Sequence, residues 1–86
     1  MISVIIPNWN GAHHLPTCLD SLRAQTYADV EVIVVDNASS DDSLDVLARY
    51  REVRTVGLPT NCGFTGACNA GFAAASGGVQ VLLNND

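Results

Sequence analysis

The sequence contains no lysine, and its only cationic residues are four arginines, Arg23, Arg49, Arg51 and Arg54. With nine acidic residues, the formal net charge is −5. Nucleic acids and anionic membranes are bound through basic patches, so this composition argues against both as partners. If the ligand were a diphosphate, a divalent cation would have to supply the positive charge that the chain lacks.

Several phosphate-binding motifs are also absent. Without lysine there is no G-x-x-x-x-G-K-[ST] loop and no phosphoacceptor domain of the receiver type. No G-x-G-x-x-G follows the first apolar run, so a dinucleotide-binding unit would lack its glycine turn. The three cysteines are an odd number without a C-x-x-C pair, which does not indicate a disulfide framework.

Long hydrophobic runs are missing as well. No run approaches transmembrane length, and the start lacks the basic and apolar regions of a signal peptide. We therefore expect a cytoplasmic protein, with membrane association of a full-length form left open. Eighty-six residues, 48% hydrophobic and 15% charged, make one small domain that is too apolar for disorder.

Four apolar, β-rich runs alternate with three helical patterns. The predicted strands cover residues 2–6, 30–35, 53–57 and 79–83. Most are continuously apolar, as in strands covered on both faces, whereas Arg54 and Thr55 place the third nearer an edge. Such alternation predicts parallel strands with right-handed crossovers. We predict a three-layer α/β fold, in which a four-stranded parallel sheet of order 3-2-1-4 carries helices on both faces.

Each helical pattern indicates a buried face. The first helix is predicted at about residues 12–25, with an apolar stripe of Leu15, Cys18, Leu19 and Leu22. The second should begin after Ser39 or Ser40, either of which could be its N-cap, and bury Leu44, Leu47 and Ala48. The third is predicted at about residues 63–76, where small residues would let it lie close to the sheet. These residues are Ala67, Ala70, Gly71 and Ala74.

Polar residues follow every predicted strand. They are Pro7, Asn8, Trp9, Asn10 and Gly11 after the first, Asp36, Asn37, Ala38 and Ser39 after the second, residues 58–63 after the third, and Asn84, Asn85 and Asp86 after the fourth. In open α/β sheets, ligands bind beyond the carboxyl ends of the strands. Turns and helix caps use the same residue types. Four such clusters at equivalent ends nevertheless favour a ligand site.

Two acidic residues stand out among these clusters. Asp36 ends a buried strand and could accept hydrogen bonds from a base edge or a ribose, or could instead pair with nearby backbone amides. Asp86, with Asn84 and Asn85 beside it, offers hard oxygen ligands suited to Mg²⁺ or Mn²⁺ bound jointly with phosphate oxygens. Asn61-x-Gly63 and Asn69-x-Gly71 frame the third helix, and their amides could fix the loop after the third strand, although Asn69 could equally be a structural cap.

The sequence resembles the amino-terminal half of the family 2 glycosyltransferases, which have the GT-A fold. The segments that carry the resemblance run in order over nearly the whole chain. They are SVIIPNWN at 3–10, LDSL at 19–22 with QTY at 25–27, EVIVVDNASSD at 31–41, NCGF at 61–64 through NAG at 69–71, and LLNND at 82–86.

The resemblance implies a nucleotide-binding role for many of these residues. Pro7 and Asp36 would line the base pocket, with Asp36 accepting from an N–H of the base. Trp9 stands where the family usually has tyrosine, and Ser39 would support the second loop. The implied nucleotide-binding set is Pro7, Asn8, Trp9, Asn10, Asp36, Asn37, Ser39, Asn61, Gly63, Asn69, Asn84 and Asn85.

The resemblance also places the tripeptide Asn84-Asn85-Asp86 at the family's D-x-D motif, with Asp86 as ligand to Mg²⁺ or Mn²⁺. Only one of the three residues is acidic, which departs from the family pattern. The asparagine-rich form is similar to that of transferases adding rhamnose, galactofuranose or related sugars to bacterial surface polysaccharides.

The implied function is binding of a nucleotide-diphospho-sugar by an inverting hexosyltransferase. Residues 1–86 would be the donor-binding part, ending after the D-x-D-like motif. The base that activates a glycan or lipid-linked acceptor would lie in the carboxyl-terminal half, so we expect this chain alone to be inactive. A non-catalytic nucleotide-binding domain and an assembly module remain alternatives. An uncovered fourth strand further predicts a homo-oligomer.

Overall fold

The β-rich runs form one parallel sheet. The computed structural model describes residues 1–25 and 29–86, so Thr26 and Tyr27 of the QTY segment lie outside the described residues. In chain order the elements are β1 (Ile2–Asn8), α1 (Leu15–Ala24), β2 (Val30–Asp36), α2 (Ser43–Leu47), β3 (Arg54–Gly57), α3 (Gly63–Ala74) and β4 (Val79–Leu82). The strands are parallel and ordered β3-β2-β1-β4, which confirms the predicted topology.

The central strands bury both of their faces because alternate side chains point to opposite sides of the sheet. On β1, Val4 and Ile6 face α1 and α2, whereas Ile5 faces α3. The first core contains Val4, Ile6, Leu15, Leu19, Val34, Val46, Leu47 and Tyr50. The second contains Ile5, Ile33, Val35 and Ala67. The predicted three layers are therefore present.

Helix α3 approaches the sheet closely through its stripe of small residues, as predicted. Ala67 and Gly71 are buried, while Ala70 and Ala74 pack at the margin of the second core. A Cβ atom at Gly71 would lie 3.1 Å from a methyl group of Val35 and closer still to Ile5. Any larger side chain at this position would push the helix off the sheet.

Helix α1 buries the predicted stripe but is shorter than expected. Leu15 and Leu19 are buried, and Cys18 and Leu22 pack beside them. The helix begins at Leu15, because residues 11–14 form a turn in which the N–H groups of His14 and Leu15 both donate to the Gly11 carbonyl. A proline in the first turn of α1 suits this start, since its missing N–H would have no helical acceptor there.

The prediction for α2 was wrong in its start and in two of its three buried residues, whereas Leu47 is buried as predicted. Leu44 is 52% exposed and Ala48 is exposed, whereas the buried residues are Ser43, Val46, Leu47 and Tyr50. Neither Ser39 nor Ser40 is the N-cap. The N-cap position is Asp42, and the carboxylate of Asp41 before it accepts hydrogen bonds from the N–H and the hydroxyl of Ser43. The helix therefore begins later than predicted, at Ser43, and its buried face is rotated.

The two edge strands differ from the central pair. β3 lies at an edge, as its polar residues predicted, and begins at Arg54 rather than at residue 53. All four residues of β4 are exposed, so this apolar strand is not covered on either face within the chain. β4 ends at Leu82, one residue earlier than predicted. Within the described part of the chain, no helix has the length and apolar character needed to cross a membrane.

Candidate functional site at the carboxyl ends of the strands

The parallel register brings the four polar clusters to one edge of the sheet. Asn8 of β1 aligns with Asp36 of β2, which in turn aligns with Gly57 of β3. On the other side of β1, Ile5 aligns with Leu82, so the residues after β4 continue beside the end of β1. We call this region the polar edge; it consists of residues 7–11, 36–39, 61–63 and 84–86.

Asp36 is buried within the polar edge, with only 1% of its surface exposed. Its Oδ1 atom accepts from the Asn8 side-chain amide at 3.0 Å and from the Ser39 hydroxyl at 2.7 Å. Its Oδ2 atom accepts from the Ser39 N–H at 3.1 Å. The carboxylate therefore ties the ends of β1 and β2 together, which is the structural role considered as the alternative for this residue. Its contact with a base stays a prediction.

Asn8 connects Asp36 with the residues that follow β4. Its side chain is 2% exposed, donates to Asp36 and accepts at Oδ1 from the Asn85 amide at 2.6 Å. Gly11 packs against this contact, and a Cβ atom there would come within 2.5 Å of the Asn85 amide nitrogen. A continuous chain of side-chain hydrogen bonds thus crosses from the tripeptide to the end of β2.

Asn10 organises the loop after β2. It has a positive φ of 51°, and its Oδ1 atom accepts from the N–H groups of Ser40 and Asp41 at 2.8 and 3.2 Å. Its own N–H donates to the Ser39 hydroxyl at 2.9 Å. The Ser43 hydroxyl, with help from the N–H groups of Ala12 and Ser43, lowers the pKa of the Asp41 carboxyl. These bonds hold the first and second loops together, in agreement with a supporting role for Ser39.

The polar edge contains a cleft of about 260 Å³. Six of its seven lining residues were predicted from the sequence, and Phe64 is the exception. They are Pro7, Asn8, Trp9, Asn37, Asn61, Phe64 and Asn84. Trp9 and Phe64 are each 58% exposed, so two aromatic rings are presented to solvent at this cleft. Phe64 directly follows Gly63, which has a positive φ of 73°. Its position next to this glycine is the sequence signal that could have identified it.

Some predicted site residues do not line the cleft. Asp36, Asn10 and Ser39 lie behind it and form its scaffold. Asn69 is exposed in the middle of α3 and caps neither end of that helix. Asn85 points to Asn8, while Asp86 is exposed after β4.

The residues after β4 offer a limited set of metal ligands. Within residues 1–25 and 29–86, no three His, Cys, Asp or Glu side chains group closely enough to hold a metal ion. Asp86 supplies one carboxylate, and Asn84 offers an amide oxygen two residues earlier. Mg²⁺ commonly takes one or two protein carboxylates and completes its shell with water and substrate phosphates. The donor set therefore fits a cation shared with a diphosphate.

The arginines lie at the opposite end of the molecule. Arg23 is in the last turn of α1, Arg49 and Arg51 follow α2, and Arg54 begins β3. Each position falls where the chain has returned to the amino-terminal end of the parallel strands. The polar edge consequently contains no arginine, although it contains Asp36 and Asp86.

A larger cavity of about 470 Å³ lies at that opposite end, between α1 and the sheet. Its lining is mostly aliphatic, including Ile2, Leu22, Val30 and Val53. The polar cleft, although smaller, brings together the hydrogen-bonding and aromatic groups that a polar ligand needs. We therefore take the polar edge as the functional site.

A parallel α/β sheet with hydrogen-bonding residues at the carboxyl ends of its strands is the architecture of a nucleotide-binding domain. The model of the family described as "Glycosyl transferase family 2" matches residues 3–86. The chain belongs to this family, as the sequence motifs indicated.

Comparison with known proteins also identifies the fold as GT-A. The chain is 42% identical over 90 residues to an uncharacterized glycosyltransferase of Nostoc sp., covering 99% of this chain and 28% of that protein. S. aureus TarS 1-349 in complex with UDP-GlcNAc superimposes with a TM-score of 0.93 at 30% identity, covering 99% of this chain and 26% of TarS. The mannosyltransferase PcManGT from Pyrobaculum calidifontis, in complex with GDP-Man and Mn²⁺, gives a TM-score of 0.92 at 29% identity, with 99% and 27% covered. The chain thus spans less than a third of each of these proteins.

Proposed function

We propose that this chain is the nucleotide-diphospho-sugar-binding part of an inverting glycosyltransferase. The observation that carries the proposal is the polar cleft, which unites residues from the ends of three strands and the start of α3. Membership in the glycosyltransferase family supports it, as do the solved relatives that bind UDP-GlcNAc and GDP-Man. The resemblance of the tripeptide leads us to propose a role in bacterial cell-surface polysaccharide synthesis.

The cleft is suited to a nucleoside. Aromatic rings stack on flat bases in offset geometry, and Trp9 and Phe64 offer two exposed rings for this purpose. The amides of Asn61 and Asn84 can donate to or accept from the polar groups of a base or ribose. Pro7 closes the cleft where β1 ends. Asp36 fixes this arrangement from below through Asn8 and Ser39.

The diphosphate requires positive charge that the polar edge does not contain. Asp86, with Asn84, would hold Mg²⁺ or Mn²⁺ together with the phosphate oxygens. When bound, the cation stabilises the charge of the leaving diphosphate. A relative solved with both GDP-Man and Mn²⁺ supports this assignment.

We further propose that the acceptor and the catalytic base are contributed by sequence outside this chain. In an inverting displacement, a carboxylate removes the proton from the acceptor hydroxyl as that oxygen attacks the anomeric carbon. No residue of this chain matches the family's base, so the polar edge would bind and orient the donor. The acceptor would be a glycan or a lipid-linked sugar.

Nucleotide binding can be measured directly because Trp9 is the only tryptophan in the chain and lies in the cleft. Titration with UDP, dTDP and GDP should quench its fluorescence, with affinities verified by calorimetry. Binding should be weak, and stronger with Mn²⁺ than with EDTA. Equal affinity in Mn²⁺ and EDTA would remove the cation from the proposal. No binding of any of the three nucleotides would contradict the donor-binding function.

Two matched variants test the location of the site. Phe64→Leu removes a ring that lines the cleft, whereas Phe72→Leu removes an exposed ring of α3 that does not. Only the first should weaken nucleotide binding, by about tenfold, a typical loss for one stacked ring. Asp86→Asn should abolish the gain from Mn²⁺ and leave binding in EDTA unchanged. Equal effects of the two phenylalanine variants would place the ligand elsewhere.

The exposed strand β4 favours a second candidate, a module that acts in assembly without binding a nucleotide. The two candidates predict different results in the titrations above. An assembly module would self-associate and show no response of Trp9 to nucleotides.

A further inference from the structure

We propose that Asn85 is a positioning residue that must donate a hydrogen bond to Asn8, and that this contact couples the tripeptide at the end of β4 to Asp36. The inference rests on the proposed function and adds a constraint to it. Of the three tripeptide residues, Asn85 would hold Asn8 in place and would not itself contact the ligand.

The direction of the hydrogen bonds follows from Asp36. The Asp36 carboxylate accepts from the hydroxyl and the N–H of Ser39, and Asn8 turns its NH₂ group towards the same carboxylate at an N–O distance of 3.0 Å. The Asn8 carbonyl oxygen then points the opposite way, towards Asn85. Since Asn8 is buried, this oxygen needs a donor, and the Asn85 amide supplies it at 2.6 Å.

The packing around the contact shows that the space is shaped for it. Gly11 is buried beside the two amides, and even a methyl group at this position would collide with both of them. A glycine therefore keeps open the path along which Asn85 reaches Asn8. The contact joins residues 77 positions apart in the chain and links the central strand β1 to the segment after β4.

This arrangement gives a physical reason for the asparagine-rich tripeptide. An aspartate at position 85 would set its carboxylate against the carbonyl oxygen of the buried Asn8, and two acceptors would then face each other in a half-buried place. Position 84 carries no such constraint, because the Asn84 side chain is exposed at the cleft. The acidic substitution should therefore be tolerated at position 84 and damaging at position 85.

The experiment compares Asn85→Asp with Asn84→Asp, two neighbouring variants with the same change in charge. Nitrogen-15 NMR spectra of the free 86-residue chain report the side-chain amide of Asn8 and the N–H of Ser39. Asn85→Asp should shift both signals strongly, whereas Asn84→Asp should shift them little. Asn85→Leu, which removes the donor without adding charge, should shift them to an intermediate extent.

Ligand binding provides the second measurement. Uridine, thymidine and guanosine lack phosphates, so a residue that acts only on the cation or the diphosphate would not affect their binding. Through the displaced Asn8 and Asp36, Asn85→Asp should weaken binding of the preferred nucleoside about tenfold, the loss expected for one broken buried hydrogen bond. Gln80→Glu, the same change of charge at an exposed residue of β4 outside the cleft, should leave this binding unchanged.

The outcomes separate this inference from the proposed function. If the wild-type chain bound neither nucleotides nor nucleosides, the proposed function would fail, and the NMR comparison would still decide the role of Asn85. If Asn85→Asp and Asn84→Asp gave the same Asn8 and Ser39 signals, the inference would be overturned. An Asn85→Asp chain that does not fold, beside a folded Asn84→Asp chain, would support the requirement for a donor.

Discussion

The side-chain amide of Asn37 donates a hydrogen bond to the carbonyl oxygen of Gly63 at 3.0 Å, although the two residues are 26 positions apart. The oxygen of the same amide accepts from the N–H of Cys62 at 2.8 Å. Asn37 is buried, so both polar ends of its side chain are used to fasten the start of α3 to the end of β2. Because Phe64 follows Gly63, this clamp also sets one wall of the cleft.

Replacement of Asn37 by alanine should lower the free energy of unfolding by about 1–3 kcal/mol, because two hydrogen bonds, to the Cys62 N–H and the Gly63 carbonyl, are lost together. Urea denaturation followed by circular dichroism measures this loss. Asn61→Ala is the control: Asn61 accepts only from the N–H of Gly63 and is exposed. It should cost less than Asn37→Ala, and the reverse order would contradict the clamp.

Ala38 has a φ of 62°, a left-handed conformation that is unfavourable for a residue with a Cβ atom. Ala38→Gly should relieve this strain and raise the free energy of unfolding by roughly 0.5–1 kcal/mol, since part of the gain is offset by the entropy of glycine. Thermal melts of the two chains test the expectation. A lower melting temperature for Ala38→Gly would mean that the Ala38 methyl group contributes more through contacts than it costs in strain.

Glu31 links β2 to β1 and to the connection between α3 and β4, at the amino-terminal end of the sheet. Its Oε1 atom accepts from the Ser3 hydroxyl and from the Ser76 N–H, each at 2.6 Å. The Ser3 hydroxyl is the main cause of a lowered pKa of this carboxyl, followed by the Ser76 amide, and Arg54 contributes weakly.

A lowered pKa in the folded state stabilises the fold above the ordinary carboxyl pKa of 4.5, and this stabilisation is lost as the pH falls through the folded-state value. Glu31→Gln should therefore melt at a lower temperature than the wild type near neutral pH, and the difference should shrink in acid. Ser3→Ala, which removes the main hydrogen-bond donor to Glu31, should reduce the pH-dependent stabilisation that Glu31 contributes. A constant difference across the pH range would argue against this role of Glu31.

We propose that a second copy of the chain pairs with the free edge of β4. The exposed strand presents unpaired backbone groups beside Val79, Val81 and Leu82, which is a template for strand pairing. Light scattering at increasing concentration should detect a dimer or a larger assembly. Val81→Lys should shift the equilibrium towards monomer, whereas Thr55→Lys, the same kind of charge on the opposite edge strand, should not. A wild-type chain that stays monomeric at high concentration would contradict the proposal.

Most of the fold could be predicted because its signals are local and repeated. Continuous apolar runs identified the central strands, and the small-residue stripe that includes Ala67 and Gly71 identified the face of α3. The strand order followed from connection rules that apply to parallel sheets in general. The start of α2 was missed because a contact distant in sequence holds the residues before it: the Asp41 carboxylate accepts from the Ala12 N–H, and the N-cap position falls to Asp42.

The sequence predicted where the candidate site lies, but it did not predict which of its side chains contact one another. Sequence position placed Asn8, Asp36 and Asn85 at the same edge, but it could not show that they bond to one another. The same side-chain groups of asparagine and aspartate can bind a ligand or form hydrogen bonds within the protein. Only the partners seen in the structure tell these two roles apart. Phe64 was passed over because a single aromatic residue at a helix start has no distinctive pattern in sequence.

Because the polar edge contains Asp36 and Asp86 but no arginine, the electrostatic field at this edge is negative. Diffusing nucleoside diphosphates would meet a repulsive field there, and raising the ionic strength would screen it. Association of the free nucleotide should therefore become faster with added salt, opposite to the trend at a basic site. A nucleotide that arrives already paired with a divalent cation carries less charge, and its rate of capture should depend far less on salt.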